Sequence, residues 1–445
     1  MQPPSPVPPS SNGFAVNAFF RLAIVNIFSN LMVPLAGWMD IAFLGHLADI
    51  RHLAGVSLAT VLFSYLYWTF GFLRMGTTGT TAQALGRGNQ DDVVLIALRN
   101  GGIAIALGLV LVLLQAPLGQ VGFSLLSASE EVKRSGQTFY SAMIWGAPAT
   151  LLNFVLLGWF LGRAQSAKVL LLSVVGNVAS VGLDYWFIVR LGWQSAGAGW
   201  ATALSQYVML AIALLLFAQA VSWKQVQSLS HQILDPPALK AAFVLNREIT
   251  IRTFVLISTF AVFTNLSSAF GTEILAVNTL LLQVVTLTAY FVDGFAFATE
   301  TWAGLFGGRN DVAGLKQLLI VSGVASLSVG LLIAIAFILM PIPLFRLLTN
   351  HTNVLAGVAQ SVGWLLPILG SGAIAYMLDG YFLGLTAGRI LRQSVMGAAI
   401  VGFVPLGIIA WYTHNSTLLW MALTLFMVLR AAILVVQVLK SFANA

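Results

Sequence analysis

The sequence predicts an all-α polytopic membrane protein with twelve transmembrane helices, arranged as two pseudo-symmetric six-helix bundles around a central cleft. Three observations predict it. Of the 445 residues, 59% are hydrophobic and only 8% charged, against about 25% charged in a soluble domain. Runs free of Asp, Glu, Lys and Arg cover 100–129, 135–162, 191–223, 317–345 and 393–429; about 20 apolar residues suffice to cross a bilayer as a helix. Three sequence features also recur at a single offset of 222 residues.

Taken in order, residues 1–13 (MQPPSPVPPSSNG) hold five prolines and no basic residue. They predict a disordered N-terminal tail without the charged start of a signal peptide. The predicted spans follow as α1 (14–46), α2 (53–85), α3 (94–120), α4 (131–161), α5 (166–190) and α6 (196–220) in the first lobe, residues 14–221. A polar stretch at 222–242, containing Asp235-Pro236-Pro237, reads as a cytoplasmic linker. The second lobe, residues 243–445, holds α7 (243–271), α8 (275–306), α9 (313–340), α10 (352–384), α11 (390–411) and α12 (416–438). The alternating ten-residue pattern of an outer-membrane barrel is absent, so the backbone must be satisfied within helices.

The repeat is carried by GWFLG (158–162) and GYFLG (380–384), by the turns at Gly86-Arg87 and Gly308-Arg309, and by Leu53-Ala54 and Leu275-Ala276. A shared offset indicates duplication. With six spans per half both halves start on the same side, and such parallel repeats place a substrate path between them. The GxxxG segments also carry a packing reading, since small residues four apart let helices approach closely in lipid.

Charge sets the orientation. With the N-terminus inside, fifteen Lys and Arg fall at inner helix ends, Arg252 and Arg430 among them, and five at outer ends: Arg51, Lys133, Arg134, Arg190 and Arg346. This bias places both termini in the cytoplasm of a bacterial-type inner membrane. The net charge of +7 then reflects inner loops, and nucleic acid is not an expected partner. Arg74 remains as the one basic residue read deep in a span, where it must pair with an acid or face water.

Enzyme chemistry finds no support. Cysteine is absent, which removes disulfides, thiol catalysis and Cys-bound zinc. HExxH, GxSxG and GxxxxGK[ST] are missing, so neither a metal nor another cofactor is expected. Energy for transport would come from an ion gradient, worth about 2.3 kcal/mol per charge per 100 mV.

The informative residues are the carboxylates inside spans, each costing about 2.5–3.5 kcal/mol at the bilayer centre. Asp40 on α1 has no basic residue within a turn or two. Such a carboxylate can take a proton or a cation but not both, which is the minimal device for antiport; the alternative is a helix-packing hydrogen bond. Asp184 on α5 shares a face with Ser180 and Asn177, four and seven residues earlier. In the second lobe Asp293 and Glu300, seven apart on α8, and Asp379 on α10 form either a second ionisable site or salt-bridged packing. Glu248, flanked by Arg247 and Arg252, reads as an interfacial ion pair.

The segments NLMVPLAGWMDIAFLGHL, LAGVSLATVLFSYLYWTFGFLRMGTTGTTAQALG, NREITIRT, YFVDGFAFATE and AYMLDGYFLG resemble the multidrug and toxic compound extrusion (MATE) family, more narrowly its DNA-damage-inducible protein F (DinF) branch. The resemblance spans the chain apart from the first dozen residues. It implies alternating access and efflux of cationic or amphiphilic small molecules, driven by protons or sodium, from a monomer in the lipid bilayer. It assigns coupling to Asp40 and Asp184, with Thr202 of α6 nearby. Two positions depart from the family pattern. Ser180 stands where many relatives carry Asn, and a shorter hydroxyl is a poorer sodium ligand, which favours protons. Val25 stands where relatives often carry Pro, leaving Pro34 to kink α1. A flippase for lipid-linked sugars is the competing transport reading, and an intramembrane enzyme or scaffold the reading from another class.

Overall fold

A computed structural model describes residues 14–45, 49–126 and 128–443, and within these omits the side chains at 33–36, 38, 40, 41 and 50. The predicted tail, 1–13, lies outside the described residues. Eleven helices are long and apolar enough to cross a membrane: α2 (Arg51–Gly86), α3 (Gln90–Leu113), α4 (Glu130–Gly162), α5 (Ser166–Arg190), α6 (Gln194–Ala220), α7 (Pro236–Ala269), α8 (Thr272–Arg309), α9 (Val312–Leu339), α10 (Thr352–Gly384), α11 (Gly388–Thr413) and α12 (Ser416–Ala443). They follow α1 (Val16–Gly45), whose 30 residues extend about 45 Å. No strand occurs among the described residues. The twelve helices match the twelve predicted spans. The largest differences are α7, which starts at Pro236 inside the stretch read as linker, and α3, which stops at Leu113 before a separate helix at Gln115–Ser124.

The chain forms two compact units, one of Phe28–Phe243 and one that joins the start of α1, through Ile27, to Val244–Ala445. In the second unit Phe14 packs edge-on against Trp302 at 5.6 Å and close to Phe306, and Phe19 meets Phe295 at 6.4 Å. Ile27 lies so close over Gly294 that a Cβ there would fall 2.3 Å from its side chain. In the first unit the segment before α7 is ordered by hydrogen bonds. Ser222 caps a short helix at Trp223–Leu229, and Arg99 of α3 donates to the carbonyls of Gln232 (2.8 Å) and Ile233 (3.3 Å).

The repeat extends to individual contacts. A Cβ on Gly158 or Gly162 of α4 would lie 2.4 Å from the Arg74 carbonyl or 2.6 Å from that of Thr78 on α2. At the same offset, a Cβ on Gly380 or Gly384 of α10 would lie 2.2 Å from the Ala296 carbonyl or 2.3 Å from that of Glu300 on α8. The GxxxG segments therefore pack backbone against backbone, as small residues permit. Left-handed backbone recurs in the same frame, at Gly88 and Asn310, at Ala164 and Thr386, and at Gly192 and His414. Each pair ends matching helices, where positive φ releases the chain from the helical path. The lobes also differ: α2 breaks at Phe70-Gly71, whereas α8 is continuous.

Each unit has its own apolar interior. In the first, Phe63 stacks on Tyr140 at 5.2 Å, and Trp159 is fully buried with its indole N–H donated to the Val93 carbonyl at 2.8 Å. In the second, Trp420 donates to Asn278 at 2.8 Å, and Asn278 donates to Ser267. These are buried polar groups satisfied by their neighbours.

Candidate functional site

In the first unit one face of α5 carries a polar stripe through an apolar helix: Ser173, Asn177, Ser180 and Asp184. Ser173 Oγ lies 2.7 Å from Ser29 Oγ of α1, which ties these helices together. The Asn177 amide donates to the Ser173 carbonyl at 2.7 Å, while its own oxygen is buried with no hydrogen-bond partner among the described residues. Ser180 is buried and Asp184 has no exposed surface. Directly after Asp184 the helix widens into a π-turn over Tyr185–Arg190, a local irregularity that often marks functional positions. Thr202 is half-buried and spends its hydroxyl on the Ala198 carbonyl at 3.0 Å. Asp40 is on α1, which stays helical through Gly45, but its side chain lies outside those described, as does that of Pro34. Eleven residues separate Ser29 from Asp40 and also Ser173 from Asp184, about three turns and 16 Å of helix in each case. Arg74 is half-buried on α2, its carbonyl beneath Gly158.

In the second unit the carboxylates take different roles. Asp379 is 3% exposed, and its Oδ2 accepts from both Arg252 of α7 and Arg430 of α12, which are 5% and 0% exposed. The Arg430 guanidinium also sits over the Tyr376 ring, 5.1 Å from its centroid. Tyr376 lies in the field of Asp293 as well as of Asp379 and the two arginines, so Asp293, half-buried on α8, belongs to the same neighbourhood. Glu300 is two turns further along α8, with no exposed surface. Glu248 accepts from Arg247 at 2.8 Å and faces Arg392 of α11 at 2.9 Å.

Two readings from sequence are corrected here. Arg74 is not the one deep basic residue, because Arg252 and Arg430, counted above as inner-end charges, stand near the middle of α7 and α12 and are buried. Glu248 does pair with Arg247, but its second partner is Arg392, since Arg252 turns to Asp379. The misreading came from the helix bounds: α7 starts at Pro236 and α12 runs to Ala443, which puts both arginines more than three turns from either end. Among the described residues no group of acidic and histidine side chains is arranged to hold a metal ion.

Comparison with known proteins agrees with this architecture. The family pattern described as MatE matches residues 26–186. DNA damage-inducible protein F of Escherichia coli (strain K12) is 33% identical over 93% of this chain and 90% of its own length. A probable multidrug resistance protein NorM of a Synechococcus strain is 26% identical over 81% of this chain and 78% of its own length. Among solved structures, a MOP superfamily transporter from Pyrococcus furiosus superimposes with a TM-score of 0.85 at 17% identity, covering 97% of this chain and 99% of that one. A MATE crystal structure in complex with MaL6 superimposes equally well, at 0.85 and 18% identity, over 96% of each chain. With a relative this similar over nearly the whole length, and the same twelve-helix fold, the chain belongs to the multidrug and toxic compound extrusion family, on the branch of DNA damage-inducible protein F.

Proposed function

We propose that this chain is a secondary active antiporter that exports cationic or amphiphilic small molecules in exchange for protons, by alternating access. The observation that carries the reading is the fully buried Asp184 at the end of the α5 polar stripe. A carboxyl group enclosed within the membrane can carry a proton in one state of the cycle and give it up in the other. The Ser29–Ser173 contact supports pairing it with Asp40. Both odd-numbered helices run in the same direction in a chain of alternating spans. An equal advance of eleven residues from Ser29 and from Ser173 reaches positions 40 and 184, which supports treating the two aspartates as one site. Asn177 and Ser180 supply hydrogen-bonding groups to this site. Thr202 has a secondary role, because its hydroxyl is already committed. Names such as multidrug resistance protein, borne by several relatives, support the substrate class.

The test is export from intact cells. Asp184→Asn and Asp40→Asn should each abolish efflux of a cationic dye while leaving the amount of folded protein in the membrane unchanged. Full efflux by either variant overturns the assignment. A second reading, transport of a lipid-linked pyrophosphate, draws on Arg252 and Arg430 as deep cationic groups. Their shared contact with Asp379 weakens it, and lipid flipping that is unaffected by Asp40→Asn would be its signature.

A further inference from the structure

A second polar cluster, made of other residues than the α5 stripe, lies at the first turn of α2. His52 in the first turn of α2 is 8% exposed, Ser135 of α4 is 7% and Ser195 of α6 is 2%. His52 Nδ1 lies 2.8 Å from Ser195 Oγ and 3.3 Å from Ser135 Oγ. The two hydroxyls are 2.6 Å apart, which closes a ring across three helices. The ring sits where α2 and α4 pack most closely, for a Cβ on Gly55 would fall 2.7 Å from the Gly136 backbone nitrogen. The other ring nitrogen, Nε2, is buried with no hydrogen-bond partner among the described residues.

We propose that His52 is a proton-binding site that holds the ends of α2, α4 and α6 together while neutral and lets them part when charged. A neutral imidazole needs only one hydrogen atom placed. With Nδ1–H donated to Ser195 and the Ser195 hydroxyl donated to Ser135, two hydrogen bonds link the three helices and Nε2 keeps only an idle lone pair. An imidazolium must place two donors and a full charge. The packed ring offers no acceptor for Nε2–H, so the charged form requires water to enter between the helices. The surrounding charges do not remove this need. On the α2 side Asp49 and Arg51 are paired to each other at 2.6 Å. Glu130, Glu131, Lys133 and Arg134 flank Ser135 in the first turns of α4, two of each sign, and α6 carries no Asp, Glu, Lys, Arg or His, its one titratable side chain being Tyr207 three turns beyond Ser195. This is the end that the charge distribution assigns to the outer face, so the device would report outside pH. It does not depend on the proposed coupling at Asp184.

The absence of cysteine makes a single reporter thiol clean. Ala198→Cys places one on α6, a turn beyond Ser195 at a position with 0% exposure, and Leu125→Cys supplies an 80% exposed reference. Labelling is measured in detergent without substrate, as the ratio of the two rates. An imidazole of ordinary pKa, about 6.5, that is charged only in the open form allows the open fraction to rise up to about tenfold between pH 7.5 and 5.5. The proposal expects a rise of that order in the parent and a flat ratio in His52→Gln and His52→Asn. A flat ratio in the parent, or a rise that persists in either variant, overturns it. Should the variants fold poorly, ring resonances of His52 in the parent decide. Titration together with accelerated labelling supports the proposal, and ring signals that do not change over this pH range overturn it. Because no transport is measured, failure here leaves the export reading intact.

Discussion

Replacing Asp379 with Asn removes one charge from a site in which two guanidinium groups share it. The side chains of Arg252, Arg430 and Asp379 are 6%, 0% and 4% exposed, so solvent does little to screen the loss. Breaking a buried ion pair from one side costs about 3–5 kcal/mol, because the remaining charge stays buried without its partner. Here two cations remain in one buried site, with Arg430 over the face of Tyr376 at 5.1 Å. Asp379→Asn is therefore expected to fall at the upper part of that range. The assay is equilibrium unfolding of the purified protein in mixed micelles, with denaturant midpoints compared at constant slope. The triple change Arg252→Met, Asp379→Leu, Arg430→Met should recover most of the loss, since apolar replacement of a whole buried ion cluster is often neutral or stabilising. A loss below about 1 kcal/mol for Asp379→Asn would refute the view that this cluster is a closed structural lock. So would a triple variant less stable than the single one.

Other expectations follow from local packing. Gly380→Ala and its repeat partner Gly158→Ala should each lose about 1–3 kcal/mol, because a Cβ meets backbone oxygen at 2.2 and 2.4 Å; Gly102→Ala, with nothing within 4 Å, should be neutral or slightly stabilising in the same unfolding assay. Trp159→Phe should lose about 1–2 kcal/mol by removing the buried indole N–H bond to the Val93 carbonyl, with thermal unfolding as the readout. Asn278→Leu strands the Trp420 indole N–H, while the Ser267 hydroxyl keeps its bond to the Phe263 carbonyl. It should cost about 1–3 kcal/mol and alter the emission of Trp420.

The helices were legible in the sequence because a membrane leaves little choice. Hydrophobic length dictates each span, and the turns announce themselves through Gly86-Arg87-Gly88-Asn89 and its copy at 308–310. The repeat was legible because GWFLG and GYFLG answer a steric demand that admits no Cβ. The ion partners were not legible. Arg252 stands one turn from Glu248 in sequence, yet reaches across to Asp379 on α10, and no local pattern encodes that choice. Arg430 looked like an end-of-helix charge because its partner is 51 residues away. The His52 ring was likewise invisible, since its members are separated by 83 and 143 residues and each alone is an ordinary polar side chain. The polar stripe on α5 was readable because its spacing is helical, whereas the serine contact that joins it to α1 was not.

The assignment of coupling to Asp184 and Asp40 is tested most directly by substrate flux in proteoliposomes with an imposed pH gradient or an imposed sodium gradient. Wild type, Asp184→Asn and Asp40→Asn would be run side by side. The account predicts that the pH gradient alone drives wild-type flux, that sodium does not, and that both variants lose gradient-driven flux while still binding substrate. Flux driven by sodium, or undiminished pH-driven flux in Asp184→Asn, would contradict it.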